Sequence, residues 1–264
     1  MNRRTPAPCA VFILVNTLFS VRLFAQYVCE FGNGPVSSAQ PSGITPAEIV
    51  ERFATRESIF KAAREHYGYT VDVTIETLDG NQVSGTYKQV SEVALDDRGE
   101  RVQRSTFAPE SSLRQITVTK EDLDDVRNRL SLVFTAEELS RFSAVYVGQQ
   151  HVDQLDTYVF DVRPKDAKKE KQAEKDRFQG RIWVDAQDFV IVKTCGKNRS
   201  DEYPKSRNAP ANLTPTFVTY REQIDGKFWF ATYSRADEIL HFPRGGVRVR
   251  ETVKYSNYKA LPAK

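Results

Sequence analysis

The stretch "GRIWVDAQDFVIVKTCGK", residues 180–197, decides the fold because it places apolar side chains on both faces of two consecutive strands. The polar letters DAQD predict a turn between the two strands. In the first strand Ile182 and Val184 oppose Trp183, and the second strand, "DFVIVK" at 188–193, repeats this two-sided pattern. An antiparallel strand with one face in water would instead alternate apolar and polar residues. Both faces of this part of the sheet are therefore expected to be buried.

The same two-sided pattern recurs in "TYVFDV" (157–162) and "KFWFATY" (227–233), whereas the earlier strand at 71–76 alternates. Burying one large apolar side chain stabilises the folded state by about 1.5–3 kcal/mol. A second face exposed to water would therefore lose many times that stabilisation. One solution is a strongly curved antiparallel sheet that wraps helices or a greasy ligand. The other is a closed barrel or sandwich with a filled interior, which the pattern alone favours slightly.

Signals upstream predict a long helix followed by an antiparallel meander. Thr45, Pro46 and Glu48 form a helix N-terminal signature, with a capping box around a proline at the first helical position. Gly68 is placed to end this helix. Residues 69–107 then show a period of two, and the letters DG predict a hairpin turn after the first strand.

The chain returns to strands after a short helical interlude. Thr119 and Thr135 each predict the N-terminus of a helix. Further strands continue to about residue 258, and their connections are short enough for antiparallel pairing. About ten strands with few helices and no internal repeat predict the α+β class. We expect one domain over residues 45–264.

The N-terminus has the pattern of an export signal over residues 1–25. Arg3 and Arg4 precede a mostly apolar segment at 9–25. A membrane anchor is the alternative, but Arg22 interrupts the segment, and spanning a bilayer requires about 20 apolar residues. The mature chain is expected to be periplasmic or secreted, and to begin with an irregular arm, rich in Gly, Pro and Ser, at 26–44.

The chain has three cysteines, of which Cys9 lies in the predicted signal. Cys29 and Cys195 would remain together in an oxidising compartment. A disulfide between them would tie the N-terminal arm to the sheet. Two free thiols are the alternative, and the sequence leaves both open.

No residue pattern predicts catalysis, a cofactor or a metal centre. His66, His151 and His241 do not have a metal-ligand spacing such as H-x-x-x-H, and solvent exposure is expected for the last two. The nucleophile signature G-x-S-x-G and the phosphate-binding pattern G-x-G-x-x-G are absent from the sequence. The chain is therefore predicted to be non-enzymatic.

Charge gives little information about partners. The 264 residues include 38 basic and 35 acidic side chains, for a formal charge of +3, so no electrostatic argument favours nucleic acid. The run at 165–177 mixes both signs, as a solvated loop does. The alternative is that this loop contacts another cell-envelope protein.

Two stretches, "FSAVYVGQQHVDQLDTYVFDVRPKD" (142–166) and 180–197, resemble the LolA/LolB-like superfamily of periplasmic lipoprotein carriers and the related RseB-type sensors. In the first, a turn precedes a Y-x-F-x-V-x-P-K strand. In the second, a strand with tryptophan ends in Asp, and the return strand is apolar and then basic. The order of elements agrees over most of the mature chain. Two features depart from the family pattern: "QLD" (154–156) replaces a glycine turn, and the charged run at 165–177 is long.

The resemblance implies an eleven-stranded or similar half-barrel, with helices closing its open side and an apolar cavity between them. It also implies carriage or sensing of a lipid or a lipoprotein acyl chain, without catalysis. The alternative is a sensor or interaction module with a filled core and an envelope protein as partner. Five large apolar residues are predicted to form the cavity wall: Phe160, Trp183, Val190, Phe217 and Trp229.

Overall fold

The described residues form a single antiparallel sheet, against which three helices lie. The computed structural model describes Cys29 and residues 34–165, 178–198, 215–242 and 245–262. The predicted signal at 1–25 and residues 166–177 of the predicted charged loop lie outside the described residues. The helices are α1 (Pro46–Glu65), α2 (Lys120–Ser131) and α3 (Ala136–Leu139). The strands are β1 (Tyr67–Asp79), β2 (Gln82–Leu95), β3 (Arg101–Phe107), β4 (Phe142–Val152), β5 (Leu155–Pro164), β6 (Phe178–Asp185), β7 (Ile191–Asn198), β8 (Phe217–Ile224), β9 (Phe228–Phe242) and β10 (Gly245–Ala260).

The ten strands form one open sheet in the order β3-β2-β1-β10-β9-β8-β7-β6-β5-β4. Each neighbouring pair is antiparallel, and β3 and β4 are the two edges. The prediction of an α+β fold with a curved antiparallel sheet of about ten strands is confirmed. The described strands do not close into a barrel, which was the alternative prediction. Among the described residues, no helix combines the length and apolarity needed to cross a membrane.

Local sequence signals explain where the elements begin and turn. The Thr45 hydroxyl accepts from the Glu48 amide at 3.2 Å, and the Glu48 carboxylate accepts from the Thr45 amide at 2.8 Å, so the predicted capping box of α1 is formed. The predicted hairpin turn after Asp79 is also present, with Gly80 at a positive φ of 59°. Thr119 and Thr135 cap α2 and α3 as predicted.

The end of α1 differs from the sequence prediction. The helix ends at Glu65, with His66 as its C-cap, and Gly68 already lies in β1. A Cβ at position 68 would lie 2.7 Å from the carbonyl oxygen of Val93 on β2. Gly68 is therefore required for close approach of two strands, not for helix termination.

Helix α1 covers one face of the C-terminal half of the sheet. Ile49 and Phe53 are fully buried in a cluster with Phe160, Ile182 and Phe217, which come from β5, β6 and β8. The rings of Phe53 and Phe160 meet edge to face, with centroids 5.8 Å apart. This face therefore has a packed interior beneath α1.

The opposite face of the same strands is covered by the N-terminal arm. Trp183 and Val192 form a second cluster there, against which Cys29 and Val36 of the arm pack. Cys29 and Cys195 of β7 form a disulfide. The arm therefore buries the second apolar face of the strands at 180–197, which the sequence predicted to be removed from water.

Hydrogen bonds attach the arm along the same face. Ser37 exchanges two backbone hydrogen bonds with Gln149 of β4, at 2.7 and 2.8 Å. The Lys193 ammonium donates to the carbonyl oxygen of Cys29 at 2.8 Å and lies 4.3 Å from the Trp183 ring centroid. The indole N–H of Trp183 donates to Gln150 at 2.5 Å. Buried polar groups beneath the arm are thus paired, as an interior requires.

Candidate ligand-binding cavity

The structure divides the five predicted wall residues between the two faces of the sheet. Phe160 and Phe217 lie in the cluster beneath α1, whereas Trp183, Val190 and Trp229 belong to the cluster on the arm side. Strand alternation causes the division, since neighbouring residues of a strand point to opposite faces. The five residues therefore do not line one common cavity.

A cavity of about 380 Å³ lies instead in the N-terminal half of the molecule. Its walls come from β1, β2, β3 and β10, from α2, and from the last turn of α1. This volume is at the low end of the range of about 300–1,000 Å³ that is usual for small-molecule pockets. The lining residues are Arg64, Glu65, Tyr69, Val71, Val73, Gln89, Ser91, Val93, Arg101, Val102, Gln103, Leu123, Val126 and Tyr255.

Strand register builds the floor of the cavity. Tyr69, Val71 and Val73 are alternate residues of β1, so their side chains share one face. Val71 pairs with Ser91 of β2 on one side and with Tyr255 of β10 on the other. The floor thus combines aliphatic and aromatic side chains with the polar Ser91.

Helix α2 forms the opposite wall through Leu123 and Val126, which are three residues apart and so share one helix face. A buried polar network holds this helix on the sheet. The Arg129 guanidinium donates to Asp125 at 2.5 Å and to Glu251 of β10 at 2.6 Å. The Asn198 amide donates to the second Asp125 oxygen at 2.9 Å. Burial raises the pKa of Glu251, and the positive charge of Arg129 opposes that effect.

Two arginines contribute charge to the cavity lining. The Arg101 guanidinium lies 5.5 Å from the Tyr69 ring centroid and donates to the carbonyl oxygen of Arg64 at 2.7 Å. Arg64 is half-buried and Arg101 is exposed. Burial lowers the pKa of Arg64, and the nearby charges of Arg221 and Arg101 act in the same direction. Glu65 is the single carboxylate among the lining residues, so the lining carries a net positive charge.

Tyr255 contributes an unpaired polar atom. The residue is 4% exposed, and its hydroxyl has no hydrogen-bond partner among the described residues. Burial raises the pKa of Tyr255, so the hydroxyl remains a protonated donor. A buried hydroxyl without a partner costs about 1–3 kcal/mol.

The described residues offer a binding surface and no evident catalytic group. They contain no set of three His, Cys, Asp or Glu side chains placed to hold a metal ion. The three histidines are exposed, and His151 is paired with Asp156 at 3.0 Å. The chemistry that this cavity supports best is therefore burial of an apolar ligand beside positive charge.

The sequence did not indicate this cavity. The alternation at 69–73 predicted a strand with one buried face, and the structure confirms that face. Alternation shows that a side chain leaves water, but not whether protein atoms or a hollow lie opposite. Leu123 and Val126 were the one available signal, since they mark the apolar face of a helix in the interlude.

The comparisons with known proteins give structural matches only. No family model matches the chain, and no curated protein matches it. A DUF1329 family protein from Desulfovibrio piger is 16% identical with a TM-score of 0.40, over 81% of this chain and 93% of the other. A LolA superfamily protein from Nitrosomonas europaea is 13% identical with a TM-score of 0.35, over 84% and 96%.

MucB from Pseudomonas aeruginosa, solved with MucA, is 12% identical with a TM-score of 0.23, over 82% of this chain and 99% of the other. The described strands of this chain form an open ten-stranded antiparallel sheet, with helix α1 against one face.

Proposed function

We propose that this chain is an exported, non-enzymatic binding protein that holds a lipid or lipoprotein acyl chain between sheet and helices. The observation that carries the proposal is the cavity of about 380 Å³ between β1, β2, β3, β10 and α2. The valine, leucine and tyrosine side chains of its lining suit an alkyl chain, and the other lining residues are polar or charged.

Export is supported by the disulfide between Cys29 and Cys195. Disulfides of this kind persist in the periplasm or outside the cell, and are rare in a reducing cytosol. A compartment bounded by membranes also supplies acyl chains in quantity. The predicted signal at 1–25 and the disulfide therefore favour the same location.

The test is to fill the cavity and measure uptake of a fluorescent fatty acid. Leu123→Trp places a large ring on the wall formed by α2, and Val145→Trp is the matched control at an exposed position of β4, on the far edge of the sheet. The wild type and Val145→Trp should bind one probe per chain, and Leu123→Trp should bind at least tenfold more weakly. Native mass spectrometry of protein purified from its own envelope should show a bound lipid. A folded wild type that neither carries lipid nor takes up the probe contradicts the proposal.

A second candidate is an interaction module for another cell-envelope protein. Its supporting observation is that the C-terminal half is filled by the chain's own residues, so that half has no room for a ligand beneath α1. Contact would then occur at the sheet edge, where Phe107 of β3 is 53% exposed. A photo-crosslinker at position 107 should capture one defined envelope protein, and the same group at Val145 on the other edge should not. Equal labelling from both positions would count against this candidate.

A further inference from the structure

We infer that the ligand of this cavity is a single-chain amphiphile with an anionic headgroup, which lies beside Arg64 and Arg101. This inference rests on the proposed binding function and adds the chemical class of the ligand. It depends on three observations: the size of the cavity, the charge of its lining and an unpaired hydroxyl.

The size limits the number of chains. A volume of about 380 Å³ is close to the smallest that small-molecule pockets use. The floor is three strands wide, from Ser91 of β2 through Val71 of β1 to Tyr255 of β10. One alkyl chain fits such a space.

The charge specifies the headgroup. Arg64 and Arg101 belong to the lining, and Glu65 is the one carboxylate there, so an anion meets net positive charge. Arg101 uses one N–H for the Arg64 carbonyl, and a guanidinium has five such donors. Its planar fork can therefore also bind a carboxylate or a phosphate. A neutral headgroup would gain none of this charge-assisted binding.

The hydroxyl of Tyr255 is a second polar group beside the cavity. The Tyr255 and Tyr69 ring centroids are 6.5 Å apart, and Arg101 lies over the Tyr69 ring. The Tyr69 ring thus lies between Tyr255 and the Arg101 guanidinium. The Tyr255 hydroxyl is buried and has no partner among the described residues, so one unused donor lies beside the cavity.

The experiment compares two probes that differ only in charge: cis-parinaric acid and its methyl ester, with the intact disulfide-bonded protein. The wild type should bind the acid about tenfold more tightly than the ester. Arg101→Gln should remove that preference by weakening the acid alone, and Arg101→Lys should restore most of it. Arg104→Gln, also on exposed β3 but outside the cavity lining, is the matched control with the same change in net charge, and should behave as the wild type.

Tyr255→Phe should change the two probe affinities in a different way from Arg101→Gln. Both probes carry a carbonyl oxygen, so loss of the hydroxyl should weaken acid and ester equally, by about 2- to 10-fold. Unchanged affinities for both probes would show that the hydroxyl does not contact the ligand.

Competition then identifies the source of the charge. Palmitate and palmitoyl lysophosphatidate distinguish a carboxylate from a phosphate headgroup, and palmitoylglycerol is the neutral reference with the same chain. Displacement by either anion at lower concentration than the neutral lipid supports the inference, and raising the salt should weaken only the anions. Equal binding of acid and ester, or equal loss in the Arg101→Gln and Arg104→Gln variants, overturns the anionic class but leaves the binding function intact. Failure of every probe to bind overturns both.

Discussion

The buried ion pair between Glu57 and Arg221 offers the sharpest test of how α1 is fixed to the sheet. The Arg221 guanidinium donates to Glu57 at 2.6 Å and to the carbonyl oxygen of Leu132 at 3.0 Å. The other Glu57 oxygen accepts from the Phe134 amide at 3.2 Å. Side-chain exposures are 1% for Glu57 and 7% for Arg221, so neither charge has water as an alternative partner. The Glu57–Arg221 pair thereby connects α1, β8 and the segment between α2 and α3.

Removing one partner leaves an uncompensated buried charge, which costs about 3–5 kcal/mol. Glu57→Gln and Arg221→Met should therefore each lower the free energy of unfolding by about that amount. In the double variant no charge remains, and the side-chain amide introduced at position 57 can still accept from the Phe134 amide. The double variant should thus lose less than the sum of the single losses, by about 3 kcal/mol.

The assay is urea unfolding at pH 7 without reductant, followed by far-UV circular dichroism and by tryptophan fluorescence. Coincident transitions from the two probes justify a two-state free energy for each of the four proteins. Arg56→Gln is the control, because Arg56 is exposed on α1 and donates only a 3.0 Å hydrogen bond to Asp188. Single losses below 1 kcal/mol, or a double loss equal to the sum, would refute the reasoning.

Three further predictions test other parts of the fold. The disulfide between Cys29 and Cys195 closes a separation of 166 residues, so reduction should lower stability by up to about 5 kcal/mol, seen as a lower urea midpoint with dithiothreitol. Gly180→Ala places a Cβ 2.1 Å from a backbone oxygen of β7 and should lower the melting temperature, whereas Gly34→Ala, with open space around it, should not. Burial opposes ionisation of Asp237, but hydrogen bonds from two arginines of β10 outweigh it and lower its pKa. Its stabilising effect should be complete above about pH 4 and disappear as the pH falls through the folded pKa, so acid unfolding of Asp237→Asn should lack that step.

The sequence predicted those features that depend on neighbouring residues. The capping box of Thr45 and Glu48 and the hairpin turn after Asp79 are local, and both are present in the structure. The two-sided apolar pattern of 180–197 also correctly required cover on both faces. Each of these signals expresses a physical requirement that is met within one strand or one helical turn.

Features that depend on distant contacts could not be predicted. Glu57 has the spacing of an ordinary helix residue, and only the approach of Arg221, 164 positions away, makes it a buried charge. Gly180 and Gly196 pair across β6 and β7, and the Phe178 ring lies so close that a Cβ at either position would come within 2.8 Å of it. Sequence shows two glycines there, but not the ring that requires them.

The cavity explains why a charged network holds α2. A helix over a hollow loses the dense apolar contacts that normally fix its position, since empty space supplies no dispersion attraction. Leu123 and Val126 of α2 line the cavity, and they also pack on the cluster of Val71, Val73 and Tyr255, so only part of the helix face has apolar contacts. The bonds from Arg129 to Asp125 and Glu251 are directional, so they can fix the helix where apolar packing cannot. The ion pairs of Arg129 with Asp125 and Glu251 thus hold α2 in place beside the cavity.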